Sequence, residues 1–247
     1  MVERRWIASR GEHMVTPMTL ESIADDVWIC DGPTVSFFGF PYPTRMAIIR
    51  LPSGTLFVWS PVALDDALAA EVEALGEVGH IVEPNALHHL SLSEWKERWP
   101  TATTYGPPGL SKRLPDLPID RELDAEPKAT FEDVVDFVAV GGSFVMTEVL
   151  FFHKPSKTLF VCDLVQKQDP QQYKSWQRWV MQLDGMSGPD GSTPREWRAT
   201  FIHRDVARAA IQTAIGWNPT RMVIAHGEWV REHGAEALRS SLSWLGV

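Results

Sequence analysis

Two cysteines in 247 residues are too few for a disulfide framework or a cysteine-rich zinc site. Cys30 and Cys162 each close an apolar run, VWIC and LFVC, and read as buried thiols of a reducing compartment. Basic charge is scarce as well: 23 Lys and Arg stand against 32 Asp and Glu, a net charge of −9. Neither nucleic acid nor a membrane surface is an expected partner, because both select basic faces. No apolar run approaches the roughly 18 residues of a membrane span. Residues 1–17 are charged, lack the apolar core of a secretory signal, and read as a mobile tail before one domain over 18–247. A cytoplasmic protein is expected.

What is present is an alternation of strand and helix signals. RMAIIRL (45–51) and TLFVWS (55–60) flank Pro52-Ser53-Gly54 as a hairpin. Leu64, Leu68, Val72 and Leu75 share one face of a helix over 64–75. HIVEP (80–84) reads as a strand, and Ser91-x-x-Glu94 as a capping box before a helix at 93–99. ATTYG (102–106) is a further strand, and 107–130, rich in Pro and charge, reads as irregular. Then come a strand at 134–140, a hairpin of EVLFF (148–152) and TLFVCD (158–163), and a helix near 171–183. A loop over 184–194, a helix at 204–217, a strand at 221–225 and a helix at 235–245 complete the chain. Thr55-Leu-Phe-Val-Trp-Ser60 rhymes with Thr158-Leu-Phe-Val-Cys-Asp163. Each follows a hairpin turn and leads through a helix to a strand running into histidine. A duplicated half predicts two packed sheets with helices outside.

In α/β sheets, ligands sit beyond the carboxyl ends of strands. Three such ends carry metal-capable side chains: His88 and His89, Asp163, and His226. Three imidazoles and a carboxylate suit Zn²⁺, Fe²⁺ or Mn²⁺. Adjacent histidines on a regular strand point to opposite faces, so this pair needs a turn, which Pro84 and Asn85 can supply. His153, in the hairpin turn, and His13, His80, His203 and His233 read as surface residues. Glu148 begins a strand facing the proposed site. Arg45 starts a hairpin strand and is suited either to grip an anion or to form a surface ion pair. Phe37, Phe38, Phe40 and Tyr42 sit in one short loop, as pocket wall, core or interface. Trp176 and Trp179 lie three apart on one helix, as a lid, a homodimer contact or, in the simplest case, packing on the sandwich.

These residues, in this order, resemble the metallo-β-lactamase-like superfamily, and more closely a branch of it carried as a domain of unknown function. The closer match rests on Asp25-Asp26-Val27-Trp28, Asp31-Gly32-Pro33, Phe40-Pro41-Tyr42-Pro43-Thr44-Arg45, Ser60-Pro61-Val62-Ala63, Pro84-Asn85-Ala86-Leu87-His88-His89 and Ala225-His226-Gly227-Glu228. The resemblance implies a four-layer αββα sandwich. The superfamily's H-x-H-x-D-H loop feeds two metals; here Pro84 and Ala86 replace its first two histidines and His88 its aspartate. The next metal histidine would fall near Ser143-Phe144, where neither residue replaces it. The bridging aspartate matches Asp163 and the last histidine His226. A mononuclear site of His88, His89, Asp163 and His226 is therefore expected, or a degenerate one without metal.

The resulting expectation is a mononuclear metal-dependent hydrolase with one divalent ion, zinc before iron or manganese. It would act on a small, anionic substrate, with Arg45, Asn85 and Glu148 as substrate-side residues. A non-catalytic binding or assembly protein with a structural metal or none is the first alternative. A mononuclear iron oxidoreductase is the second.

Overall fold

Thr55-Leu-Phe-Val and Thr158-Leu-Phe-Val occupy equivalent places in two sheets of a computed structural model that describes residues 18–37, 39–123 and 131–247. The larger sheet runs in chain order through β1 (Glu21–Ala24), β2 (Val27–Phe37), β3 (Phe40–Arg50), β4 (Leu56–Trp59), β5 (Val78–Val82), β6 (Thr103–Gly106) and β7 (Arg121–Glu122). The smaller contains β8 (Val135–Val140), β9 (Glu148–His153), β10 (Thr158–Val161) and β11 (Arg221–Ile224), in the order β11-β10-β9-β8. β4 pairs antiparallel with β3 and parallel with β5; β10 pairs antiparallel with β9 and parallel with β11. The expected duplication is thus present in the pairing pattern itself.

These strands are apolar on both faces because both faces are covered. Ala47, Ile49, Phe57 and Trp59 meet Phe151, Phe160 and Cys162 between the sheets. Met46, Ile48, Leu56 and Val58 point outward, toward Leu68 and Val72 of α1 (Asp66–Leu75) and Trp95 of α2 (Leu92–Arg98). On the far side, Leu159 and Val161 pack on Ala207, Ile211 and Ala214 of α6 (Arg204–Gly216) and Leu238 of α7 (Gly234–Ser241). Three short or peripheral helices, α3 (Leu110–Arg113), α4 (Ser175–Asp184) and α5 (Arg195–Arg198), complete the set. The order of layers is helix, sheet, sheet, helix, the four-layer αββα sandwich.

Several local expectations change. Ser91 precedes α2 without a side-chain cap, and Glu94 accepts from the Leu64 N–H at 3.1 Å. The carboxylate anchors the segment entering α1 and closes no box. The stretch 107–130 is not wholly irregular: α3 and β7 lie within it, and residues 124–130 lie outside the described residues. So do the expected tail, 1–17, with His13, and Phe38. Phe37, Phe40 and Tyr42 belong to a long ribbon of β2 and β3, not to a loop. Pro41 and Pro43 are tolerated there because β4 pairs with β3 only from Ala47 on, leaving one side of the strand free. His153 closes β9, is only 3% exposed, and shares a hydrogen bond with the Ser156 hydroxyl at 2.8 Å. His80 is half-buried between Tyr105 and Phe131. Trp176 and Trp179 of α4 are 56% and 64% exposed, so the helix does not bury them on the sandwich. Among the described residues, no helix is long and apolar enough to cross a membrane.

Candidate metal centre

Pro84 lies two residues past the end of β5 and Asn85 turns the chain: its Oδ1 accepts the Leu87 N–H at 2.8 Å. The turn delivers His88 into the space between the sheet ends. It does not deliver His89, whose Nδ1 donates back to the Ala86 carbonyl at 2.9 Å. Asp163 follows β10, and His226 follows β11. Gly227 then takes φ +101°, where a Cβ would lie 1.8 Å from the Lys167 carbonyl oxygen, so only glycine lets the chain leave His226 in place.

The three side chains converge. His88 Nε2 and His226 Nε2 are 3.0 Å apart. Asp163 Oδ1 is 3.2 Å from His226 Nε2, and Asp163 Oδ2 is 3.5 Å from His88 Nε2. A tetrahedral ion with ligands near 2.0–2.1 Å needs donor–donor edges of about 3.3 Å. The separations lie near that edge, two of them made by different oxygens of Asp163, so the three side chains could close on a divalent ion. The donor atoms of His88, Asp163 and His226, with Cys162 Sγ, all lie within 4.8 Å of one another. Where His89 was expected, the structure brings Cys162.

The surroundings orient each side chain. His226 Nδ1 donates to the Pro43 carbonyl at 2.7 Å, which directs Nε2 at the centre. His88 Nδ1 pairs with the Ser60 hydroxyl at 2.8 Å. That hydroxyl can donate or accept, so either tautomer of His88 is supported. Ser60 itself has φ +53°, a left-handed conformation uncommon outside glycine, at the end of β4. Burial brings the His88 imidazole down to about 4 despite the neighbouring Asp163, so it is neutral at pH 7. Burial opposes ionisation of Asp163, but His226, His88 and Asn85 outweigh it and hold the carboxyl below its ordinary range. Burial likewise opposes a charged His226, and Asp163 outweighs that, raising it.

Asn85 and Glu148 stand behind the three side chains and do not line the cavity over them. Asn85 is fully buried and donates to Asp163 Oδ2 at 2.8 Å and Glu148 Oε2 at 3.2 Å. Glu148, also fully buried, accepts the N–H groups of Cys162, Asp163 and Leu164 at 2.8–3.0 Å and so shapes the loop carrying Asp163. Burial, then the Asp163 charge, pushes the Glu148 carboxyl up to about 8, against those three donors. Arg45 is spent on the protein: it donates to Asp31 Oδ1 and to the carbonyls of Ile224 and Gly227, each at 2.7 Å. It ties β3 to the His226 segment and does not line the cavity. Arg113 donates to the Val145 carbonyl.

A cavity of about 530 Å³ opens over the centre, with His88, Asp163 and His226 on its lining and Cys162 absent from it. Tyr42 lines it too, its ring edge-on to His226 with centroids 5.5 Å apart. Ser60, Gln166 and Cys162 escaped the sequence reading as site residues. Gln166 donates to Asp163 Oδ1 at 3.3 Å. Of the three, only Ser60 had a signal, in the Ser60-Pro61-Val62-Ala63 stretch.

Two sheets, their order and the histidine–aspartate cluster at their ends define the metallo-β-lactamase fold. The DIM-1 metallo-β-lactamase superposes with a TM-score of 0.66 at 13% identity, covering 94% of this chain and 99% of its own. The FIM-1 metallo-β-lactamase of Pseudomonas aeruginosa, described in a mono-zinc form, gives 0.63 at 12% identity, covering 94% and 96%. A metallo-β-lactamase from Hirschia baltica gives 0.62 at 12%, covering 93% and 98%. No curated protein sequence matches significantly. The chain belongs to the family described as Domain of unknown function (DUF4336), whose model matches residues 24–178.

Proposed function

We propose that the protein is a mononuclear metal-dependent hydrolase whose ion is held by His88, Asp163 and His226. The observation that carries this reading is the convergence of His88, Asp163 and His226, with polar atoms 3.0–3.5 Å apart, on the lining of a cavity. Three protein ligands beside an open space follow the pattern of catalytic sites, whereas four close a structural one. A divalent ion bound there supplies Lewis-acid polarisation and an acidified water. This chain's residues supply the rest. Pro43 and Ser60 orient the two imidazoles, Asn85 orients the carboxylate, and Glu148 holds the loop that presents it. Zinc suits the two-nitrogen, one-oxygen set, and iron or manganese are the other candidates.

The competing reading is a binding protein without catalysis. The hydrogen-bond network favours it, since His88, His226, Asp163 and Asn85 satisfy one another by themselves. Metal content of untagged protein separates the two. About one divalent ion per chain, lost in His226→Ala together with hydrolysis of an ester panel, supports the hydrolase. Full-length folded protein that takes up no zinc, iron or manganese overturns it.

A further inference from the structure

The cavity over the metal centre has walls that differ from its floor. Val35, Val62, Leu90, Val145, Met146 and Trp197 line it, while the acidic lining groups are Asp163 and Glu196. Among the described residues, its lining contains no lysine or arginine. Arg45, the cation expected there, is saturated by Asp31 and two carbonyls. An anion lying along the wall would lose its hydration without gaining a lysine or arginine partner, in a protein of net charge −9. The apolar character continues past the rim. Leu90 is 47% and Val145 41% exposed, and beside Val145 the Phe144 side chain is 69% exposed. The Phe144 N–H bonds the carbonyl of Thr200, itself a lining residue, so this apron is attached to the mouth.

We propose that the substrate is an uncharged ester with a hydrocarbon acyl chain, the chain lying along the Val35–Met146–Trp197 wall and the ester group at the His88–Asp163–His226 floor. This rests on the hydrolase reading for the bond that is broken, but not for what binds. A volume of about 530 Å³ lies within the range of small-molecule sites, which are mostly apolar with a few convergent polar groups. The reaction balances with water alone. The acyl carbon–oxygen bond breaks, the water's hydroxyl goes to the acyl carbon, and its proton goes to the departing alcohol oxygen. The acid formed ionises at neutral pH. It then faces Asp163 and Glu196, and no lysine or arginine of the lining pairs with it, so the apolar wall that admits the neutral ester favours its product less.

The test uses equilibrium binding to the full chain, with and without bound metal. The probes are n-alkyl methyl ketones, which are neutral and not hydrolysed, and carboxylates of matched length. Affinity for the ketones should rise about fourfold per added methylene until the wall is filled. On metal-free protein each matched carboxylate should bind at least tenfold more weakly than its ketone. Leu90→Asp at the exposed rim and Met146→Asp on the wall should each weaken ketone binding at least tenfold. Affinity independent of chain length, or carboxylates as tight as ketones on metal-free protein, would overturn the proposal. So would unchanged ketone affinity in Leu90→Asp, a variant at a half-exposed position that does not depend on core packing. Graded ketone binding without ester hydrolysis by metal-loaded protein would support the pocket assignment and overturn only the hydrolase reading.

Discussion

His88 Nε2 stands 3.0 Å from His226 Nε2, though 138 positions separate the two residues. One is delivered by the loop after β5 of the larger sheet, the other by the end of β11 of the smaller. Their meeting is a consequence of stacking two similar half-folds face to face, so the metal centre also reports on how the sheets are joined.

Metal retention should therefore distinguish the adjacent histidines. His88→Ala should lower metal content well below one ion per chain, and His89→Ala should leave it unchanged. Elemental analysis of dialysed, untagged protein measures this. If only the native state binds, metal at a thousandfold excess over its dissociation constant adds about 4 kcal/mol, and chelator should lower the unfolding midpoint accordingly.

Arg45→Met should weaken the fold and leave anion affinity alone. Methionine keeps much of the length but deprives the Ile224 and Gly227 carbonyls of their donor. A buried carbonyl left unpaired costs roughly 1–3 kcal/mol. The Asp31 partner is largely exposed, so the lost ion pair adds little. Urea unfolding gives the stability change, and phosphate titration should show no difference between the two proteins.

Asn85→Asp changes one amide nitrogen to oxygen in a fully buried place between Asp163 and Glu148. The donor that bridges two carboxylates becomes a third carboxyl group. At neutral pH the expected loss is about 3 kcal/mol or more, the scale of a broken buried pair. The loss should shrink as pH falls, because a protonated carboxyl can donate again. Unfolding curves at pH 5 and pH 8 would reveal the difference.

His153 makes acid a destabiliser. Burial lowers its imidazole below the ordinary value of 6.5, with Asp26 opposing the shift only in part. The folded state thus prefers the neutral ring. Its contribution is complete above pH 6.5, and it declines as pH drops through the unfolded value toward the folded one, because the unfolded chain takes the proton first. His153→Gln should flatten the stability profile below pH 6.5. A profile as steep as that of the parent would assign the acid response to other groups.

The strands and helices of the core were legible in the sequence because period matched burial. Both faces of β4 and β10 are covered, so TLFV appears as an unbroken apolar run in each half, and α1 carries Leu68 and Val72 one turn apart. Resemblance added the order of the metal residues. What failed was local and polar. Ser91-x-x-Glu94 has the spacing of a capping box, but Leu64, thirty positions earlier, offers Glu94 an N–H that competes with the cap. His153 looked like a turn residue because the sequence cannot show that Ser156 folds back onto its ring.

The amino-acid order alone determined two half-folds, the layers that cover them and the segments that end in His88, Asp163 and His226. These follow from side-chain periodicity and turn chemistry, which act over a few residues. Tertiary structure alone decided that His89 turns back to Ala86 while Cys162 joins the cluster. It also decided that Arg45 bonds Asp31 and the Ile224 and Gly227 carbonyls, and that an apolar wall stands above the cluster. The place of Arg45 depends on which carbonyls come within hydrogen-bond reach once the two sheets pack, and those of Ile224 and Gly227 lie 179 and 182 positions away. Competition for partners between residues more than a hundred positions apart leaves no periodic trace in the chain.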